Sequence, residues 1–282
     1  MKRYTFNPFS EILQYGKGFK SKLLYRPLLK ALPGTWETER IPNIVSSSVD
    51  IEMKDPKNAD SWFVIPSQLN GAEYRSHKNE HIVKKIWEYN NDRTGGPIAQ
   101  LTGHHAVAEF MLDNAQSNDN PNGMFNTMKD VGAVVVNGYL KVYPHIEFPF
   151  SQLSKMKVLG MEDVNVMEKD HSVNIIYASG VPVGKYTNPY ESKDLLTVAK
   201  AVTTQQYYGA LEAAFMKDKN ARVFMMPLGI GVFECPIDTV ADSIVNSIGM
   251  FEENYPGHGL DIRLLVYYSS YKDAELVKKL CA

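Results

Sequence analysis

Residues 222–248, RVFMMPLGIGVFECPIDTVADSIVNSI, constrain the fold more than any other stretch of the chain. Residues 223–228 form a short apolar run of the kind seen in a strand buried on both faces. Gly229-Ile230-Gly231 frees the backbone where a turn must pass close to something. From Ile237 the apolar residues recur as Ile237, Val240, Ala241, Ile244, Val245 and Ile248, one face of a helix. Pro236 suits the first helical turn, where its missing N–H costs nothing. Strand, glycine turn and helix start in this order either form an anion site, with N–H groups and the helix dipole converging on it, or an ordinary βα turn.

The remaining sequence narrows the class. The 282 residues are 44% hydrophobic and 22% charged with a formal net charge of −2, the composition of a globular domain. Near-neutral charge without a concentrated basic run gives no electrostatic case for nucleic acid. Cys235 and Cys281 are too few for a disulfide framework or a zinc cluster; no metal cluster stands out, and the expectation is a metal-free mechanism with no cofactor. The opening MKRYTFNPFSEILQY carries charge where a secretory leader needs an apolar core. No run approaches the ~18 apolar residues of a membrane span. The expected compartment is the cytosol, with export lacking a cleaved leader left open.

In chain order, residues 1–44 read as an N-terminal extension broken by Pro27, Pro33 and Pro42, with Trp36 as its anchor. Residues 45–53 suit a first strand. Residues 61–65 are a clear strand running into PSQLNGAEY, a loop with several polar side chains around Gly71. The carboxyl end of a strand in an open α/β sheet is where ligands bind, although Asn-Gly is also a common turn dipeptide. Helices are expected over 79–89 and 98–115, and adjacent His104 and His105 point apart on the latter. Residues 131–143 and 173–183 read as strands, 144–171 give little signal, and 192–216 are helical. A last strand, 260–268, and a short helix, 272–280, complete the chain. Alternating strands and helices argue for one domain over 45–282, a mostly parallel sheet covered on both faces.

No GxGxxG, GxxxxGK[ST], GxSxG or HExxH is present. The order of Tyr207-Tyr208-Gly209-Ala210-Leu211, the strand at 222–228, Gly229-Ile230-Gly231-Val232-Phe233 with its helix, and a final strand ending in aromatics resembles a macro domain, the ADP-ribose-binding family. The likeness spans roughly residues 45–270 and is sharpest in the last third. Around PSQLNGAEY the family's asparagine–glycine pattern is altered. In that departure the chain is similar to divergent bacterial-effector hydrolases of the MavL type, which remove ADP-ribose from ubiquitin arginine and act in the host cytosol. The resemblance implies a three-layer α/β/α architecture with a mixed sheet. It also implies ADP-ribose or an ADP-ribosylated protein as partner, without nucleic acid or membrane.

Carried over by residue, the resemblance places Gly229, Ile230, Gly231, Val232 and Phe233 on the diphosphate and distal ribose, with Asn70, Gly71 and Ala72 on the facing loop. Asp50 would accept from the adenine amino group, and Tyr267 or Tyr268 would stack on the adenine. Cleaving an ADP-ribosyl bond needs an oxocarbenium-like centre, a positioned water and a proton for the leaving group. Glu73 is expected to orient or deprotonate that water, with Gln68 and Asn70 fixing it and the ribose hydroxyls. Asp50, Glu191 and Glu234 are the other carboxylates near strand ends. A reader that binds ADP-ribose without turnover, or a hydrolase of another nucleotide diphosphate, would need the same cradle.

Overall fold

Short apolar runs bounded by glycine, proline or charge become strands, and the segments between them carry helices. The computed structural model describes residues 13–15, 19–25, 41–69, 94–103, 127–136, 138–184, 194–267 and 270–281, the first two by backbone path alone. Its elements are β1 (Leu13–Tyr15), β2 (Phe19–Tyr25), β3 (Asn43–Ser46), α1 (Val49–Lys54), β4 (Trp62–Pro66), α2 (Gly95–Thr102), β5 (Val135–Val136), β6 (Tyr139–Leu140), β7 (Lys157–Asn165), β8 (Ser172–Ala178), α3 (Leu195–Lys217), β9 (Arg222–Met225), α4 (Ile237–Asn254), β10 (Asp261–Val266) and α5 (Tyr271–Leu280).

The main sheet has the order β1-β2-β7-β8-β4-β9-β10-β3. From β8 to β3 all neighbours are parallel, while β7, β2 and β1 continue it antiparallel. Side chains alternate between its faces. Trp62, Val64, Val223, Met225, Ile262 and Leu264 join the core under α3, α4 and α5. Phe63, Ile65, Phe224 and Leu265 face Val49 and Met53 of α1 and Ile98 and Ala99 of α2. Phe63 and Phe224 stack across β4 and β9 with ring centroids 4.7 Å apart. The architecture is therefore three-layer α/β/α around a mixed sheet.

Several elements depart from the sequence expectation. The strand expected over 45–53 stops at Ser46, and α1 begins at Val49. Ser48 holds an extended N-cap conformation, Asp50 and Glu52 lie in the first turn, and Val49 and Met53 share the buried face, the i, i+4 pattern of a helix. The helix expected over 98–115 starts at Gly95 and ends at Thr102, with Gly103 as its C-cap. Residues 131–143 form no strand of the main sheet. They give a 3-10 turn and the β5–β6 hairpin, in which Val136 pairs with Tyr139; Gly138 before β6 has φ 77°, a left-handed conformation that suits a tight hairpin.

β7 arises in the segment that had shown little periodicity. Its pairing with β8 shifts register between Met161 and Val164, and Asp163 takes φ 55°. This bulge interrupts the alternation that marks a strand. Glu162 beside it is buried and meets Lys217 at 3.2 Å. Among the described residues no helix is long and apolar enough to cross a membrane. The helix expected at 79–89, Trp36, His104 and His105 lie outside the described residues.

Candidate functional site

The carboxyl ends of β8, β4, β9, β10 and β3 share one edge of the sheet, because these strands run parallel. The glycine loop after β9 sits on that edge and is held from several sides. Tyr207 of α3, fully buried, donates its hydroxyl to the Met226 carbonyl at 2.7 Å and accepts from the Leu228 N–H at 2.8 Å. Burial pushes this phenol far above the usual tyrosine range, despite the Leu228 bond. Tyr207 is therefore a neutral clamp on the loop entrance.

Gly229 then turns with φ 82°, a left-handed conformation that glycine adopts without steric cost. A neighbouring loop, following β8, presses against it: a Cβ on Gly180 would lie 2.7 Å from the Gly229 Cα. The same loop donates from the Val183 and Gly184 N–H groups to the Phe233 carbonyl at 2.9 and 3.2 Å. Internally, Cys235 N–H donates to the Gly229 carbonyl and Glu234 N–H to that of Gly231. Glu234 has φ 55°. Cys235 is buried and its thiol is pushed up to about 12 by burial, so it is inert as a nucleophile near neutrality.

These bonds occupy the Leu228 amide before the loop and the Glu234 and Cys235 amides after it. Within the described residues, the N–H groups of Ile230, Gly231 and Val232 have no acceptor. Gly231 has open space where a Cβ would stand, and Val232 is 72% exposed. Consecutive unpaired amides on a fixed, accessible loop have the donor chemistry that suits an anion. The loop itself supplies this feature. Helix α4 begins at Ile237, after a turn, with Pro236 at its N-cap in place of the expected first helical turn.

Phe233 marks the far end of the loop. Its half-buried ring meets Tyr139 of β6 edge-on, with centroids 5.8 Å apart. The Tyr139 hydroxyl accepts from Gln68 Nε2 at 2.9 Å, so Gln68, Tyr139 and Phe233 join the loops after β4 and β9. Gln68 is 3% exposed, and its Oε1 has no hydrogen-bond partner among the described residues. A buried acceptor without a donor costs about 1–3 kcal/mol. The backbone here is fixed by Ser67 N–H donating to Ala178 O, Leu69 N–H to Gly138 O and Thr127 N–H to Leu69 O.

Asp50 lies in the first turn of α1, just past β3, and accepts from the Ser48 hydroxyl at 2.6 Å. Ser47 N–H bonds Val266 O at the end of β10, which brings the start of α1 beside that strand end. Tyr267 follows β10, 59% exposed, and its N–H donates to Asp273 Oδ2 at 2.6 Å. Burial pushes the Asp273 carboxyl above the usual range, against the lowering effect of the Tyr267 and Ser270 bonds. Asn70, Gly71, Ala72, Glu73, Glu191 and Tyr268 lie outside the described residues.

Thus Gln68, Phe233 and the glycine loop come together, while Asp50 and Tyr267 stand at the ends of the adjacent strands β3 and β10. Sequence reasoning assigned no role to Tyr139, Tyr207, Gly180 or Asp273. The signal for Gly180 was available, because it lies in a glycine- and proline-marked loop after a strand. The tyrosine contacts had no local signal, since their partners are remote in sequence.

No protein-family model matches the chain, and no curated protein matches it. Among solved structures it is similar to a mutant macrodomain of Oceanobacillus iheyensis, with 14% identity and a TM-score of 0.43, over 84% of this chain and 89% of that one. A further mutant of that macrodomain, solved with ADPR, gives 14% identity and a TM-score of 0.43 over 84% and 90%. A Trypanosoma brucei macrodomain gives 10% and 0.35 over 86% and 75%.

Proposed function

We propose that this protein binds the ADP-ribose of modified proteins in a macro-domain-like pocket and hydrolyses the bond that joins it to them. The observation that carries the reading is the run of unpaired amides at Ile230, Gly231 and Val232 on a loop clamped by Tyr207 and by the Val183–Gly184 backbone. Main-chain N–H groups suit a diphosphate, which offers many acceptors and no donors. Phe233 at the end of that run supports an adjoining sugar, and the donor-seeking Oε1 of Gln68 supports a sugar hydroxyl. Asp50 and Tyr267 are proposed for the adenine, together with Tyr268.

In the hydrolytic reading Glu73 takes the proton of the attacking water as charge develops at the sugar carbon, while Gln68 and Asn70 orient the water and the hydroxyls. The protein substrate proposed is ADP-ribosylated arginine of ubiquitin, in the cytosol, or in a host's cytosol if the chain is exported. One observation favours the reader instead. Gln68, the described polar side chain joined through Tyr139 to Phe233, is an amide that neither gives nor takes a proton in such a reaction.

Two measurements separate these readings. ADP-ribose at one hundred times its dissociation constant is expected to raise stability by about 2.7 kcal/mol; no shift of Tm at millimolar ADP-ribose rejects both. Release of ADP-ribose from mono-ADP-ribosylated ubiquitin and from bulk modified protein then tests turnover. Glu73→Gln is expected to lower it by roughly two to four orders of magnitude with affinity kept within about threefold. Binding without release by the parent establishes the reader.

A further inference from the structure

Lys272, in the first turn of α5, reaches back to the glycine loop and donates from Nζ to the Ile230 carbonyl at 2.9 Å. An ammonium has three donors, and no carboxylate pairs with Lys272 among the described residues. The acidic neighbours are engaged elsewhere. Asp273 turns its Oδ2 to the Tyr267 N–H, and the Glu234 carboxylate lies over Gly184, where a Cβ would fall 1.9 Å from its Oε2. A cation is thus attached to the carbonyl of a residue whose own N–H belongs to the unpaired run.

We infer that Lys272 is a specificity-determining residue of the loop, supplying the positive charge that makes it prefer a diphosphate to a neutral nucleoside. The inference rests on the ADP-ribose reading above for the identity of the whole ligand, though not for the charge preference. Amides recognise any acceptor with suitable shape and discriminate weakly by charge. A lysine fixed on the loop backbone adds a Coulombic attraction that acts on phosphate and leaves a nucleoside untouched. It also acts without direct contact, since the charge need only stand a few ångströms from the anion. The opposite flank, carrying Glu234, repels phosphate, so the two flanks give the loop a direction: phosphate toward Ile230, hydroxyls toward Phe233.

The test titrates the full-length protein with ADP-ribose, inorganic pyrophosphate and adenosine, each at low and high salt, in the parent, Lys272→Met and Lys272→Arg. Lys272→Met is expected to weaken ADP-ribose and pyrophosphate about fivefold to tenfold at low salt, equivalent to about 1–1.4 kcal/mol. The loss should shrink at high salt as the charge is screened, adenosine should be unchanged, and Lys272→Arg should restore most of the phosphate affinity. Equal losses for adenosine and pyrophosphate, independent of salt, would show that the lysine only positions the loop and overturn the inference. Unchanged pyrophosphate affinity in Lys272→Met overturns it as well. A parent that binds pyrophosphate in this manner but not ADP-ribose leaves the charge role standing and removes the ADP-ribose reading. A parent that binds neither removes both.

Discussion

The two ends of the parallel strands are built on opposite terms. At the amino end, Arg222 donates to Asp261 Oδ2 at 2.8 Å and to Asn58 Oδ1 at 2.8 Å, and Arg263 donates to the same Asp261 oxygen at 3.0 Å. Asn58 in turn donates to the backbone and carboxylate of Glu52. Charge and hydrogen-bond capacity are matched within the chain. At the carboxyl end the amides of Ile230, Gly231 and Val232 and the Gln68 carbonyl oxygen have no partner among the described residues. One end is saturated and serves the fold; the other keeps donors and an acceptor in reserve, held in place by clamps set behind them. Binding capacity in a sheet of this kind is thus legible as incomplete pairing on rigidly supported backbone.

The sharpest way to break this contrast is to fill the open end. Gly231→Glu places a carboxylate in the space before the unpaired amides, where like-charge juxtaposition costs several kcal/mol. ADP-ribose affinity should fall at least a hundredfold by titration calorimetry. Stability should barely change, because Gly231 has no left-handed φ and no atom within 4 Å of a Cβ. Parental affinity in this variant would move the diphosphate elsewhere.

Removing the clamp instead of the opening should affect both fold and ligand. Tyr207→Phe leaves the buried Leu228 N–H without its acceptor, a loss of about 1–3 kcal/mol measurable by urea unfolding. Weakened ADP-ribose binding should accompany it, since the loop entrance is released. A loss of stability with parental affinity would show that the loop holds its shape without the tyrosine.

The two ends also differ in their response to pH, through two aspartates of opposite sign. Burial raises the Asp261 carboxyl, but hydrogen bonds from Arg263 and Arg222 and the attraction of both guanidinium groups outweigh it, so its pKa lies below the usual 3.8. Its stabilisation is complete above the ordinary carboxylate pKa and disappears as pH falls through the lowered folded value. Asp273 at the carboxyl end is raised by burial, so it opposes folding increasingly as pH rises from the ordinary value through the raised one. Melting profiles between about pH 3 and 7 should therefore show a shallower acid-side loss in Asp261→Asn. In Asp273→Asn stability should decline less as pH rises through the raised value, and parallel profiles for parent and both variants would remove this distinction.

The smallest effect concerns the loop exit. Glu234 holds a left-handed conformation at φ 55°, which costs an L-residue roughly 1–2 kcal/mol. Part of that gain returns as glycine entropy. Glu234→Gly should thus raise stability by about 0.5–1 kcal/mol, read as a modest increase in Tm. A decrease would show that the carboxylate over Gly184 contributes more than the strain removes.

Much of the scaffold was legible because one periodicity governed each segment. The strand expected at 61–65 is found at Trp62–Pro66, the helical stripe from Ile237 is α4, and the strand expected over 223–228 is β9, which stops at Met225; each depended on local pattern alone. Legibility ended where the local pattern broke. Asp163 lies in the bulge of β7, and the apparent strand over 45–53 becomes a helix from Val49, with Val49 and Met53 on its buried face. At the site, the glycine loop was visible as a motif, but its support was not. Tyr207 finds its acceptor and donor at Met226 and Leu228, and Lys272 finds Ile230, through tertiary packing that no spacing encodes.

The contact between Gly180 and Gly229 has a consequence for how this protein can change over generations. The two glycines are held for different reasons: a Cβ at 180 would fall 2.8 Å from the Gly229 nitrogen, whereas one at 229 would stand at ordinary contact distance from the Gly180 Cα, 3.5 Å, but would face an unfavourable φ of 82°. Backbone cannot swing aside as a side-chain tip can. A side chain at 180 is thus blocked by the backbone of the other loop, and one at 229 by its own conformation. Descendants of this sequence that lose Gly180 should therefore have rebuilt the loop after β9 as well, whereas those that lose Gly229 should carry local strain without displacing the loop after β8.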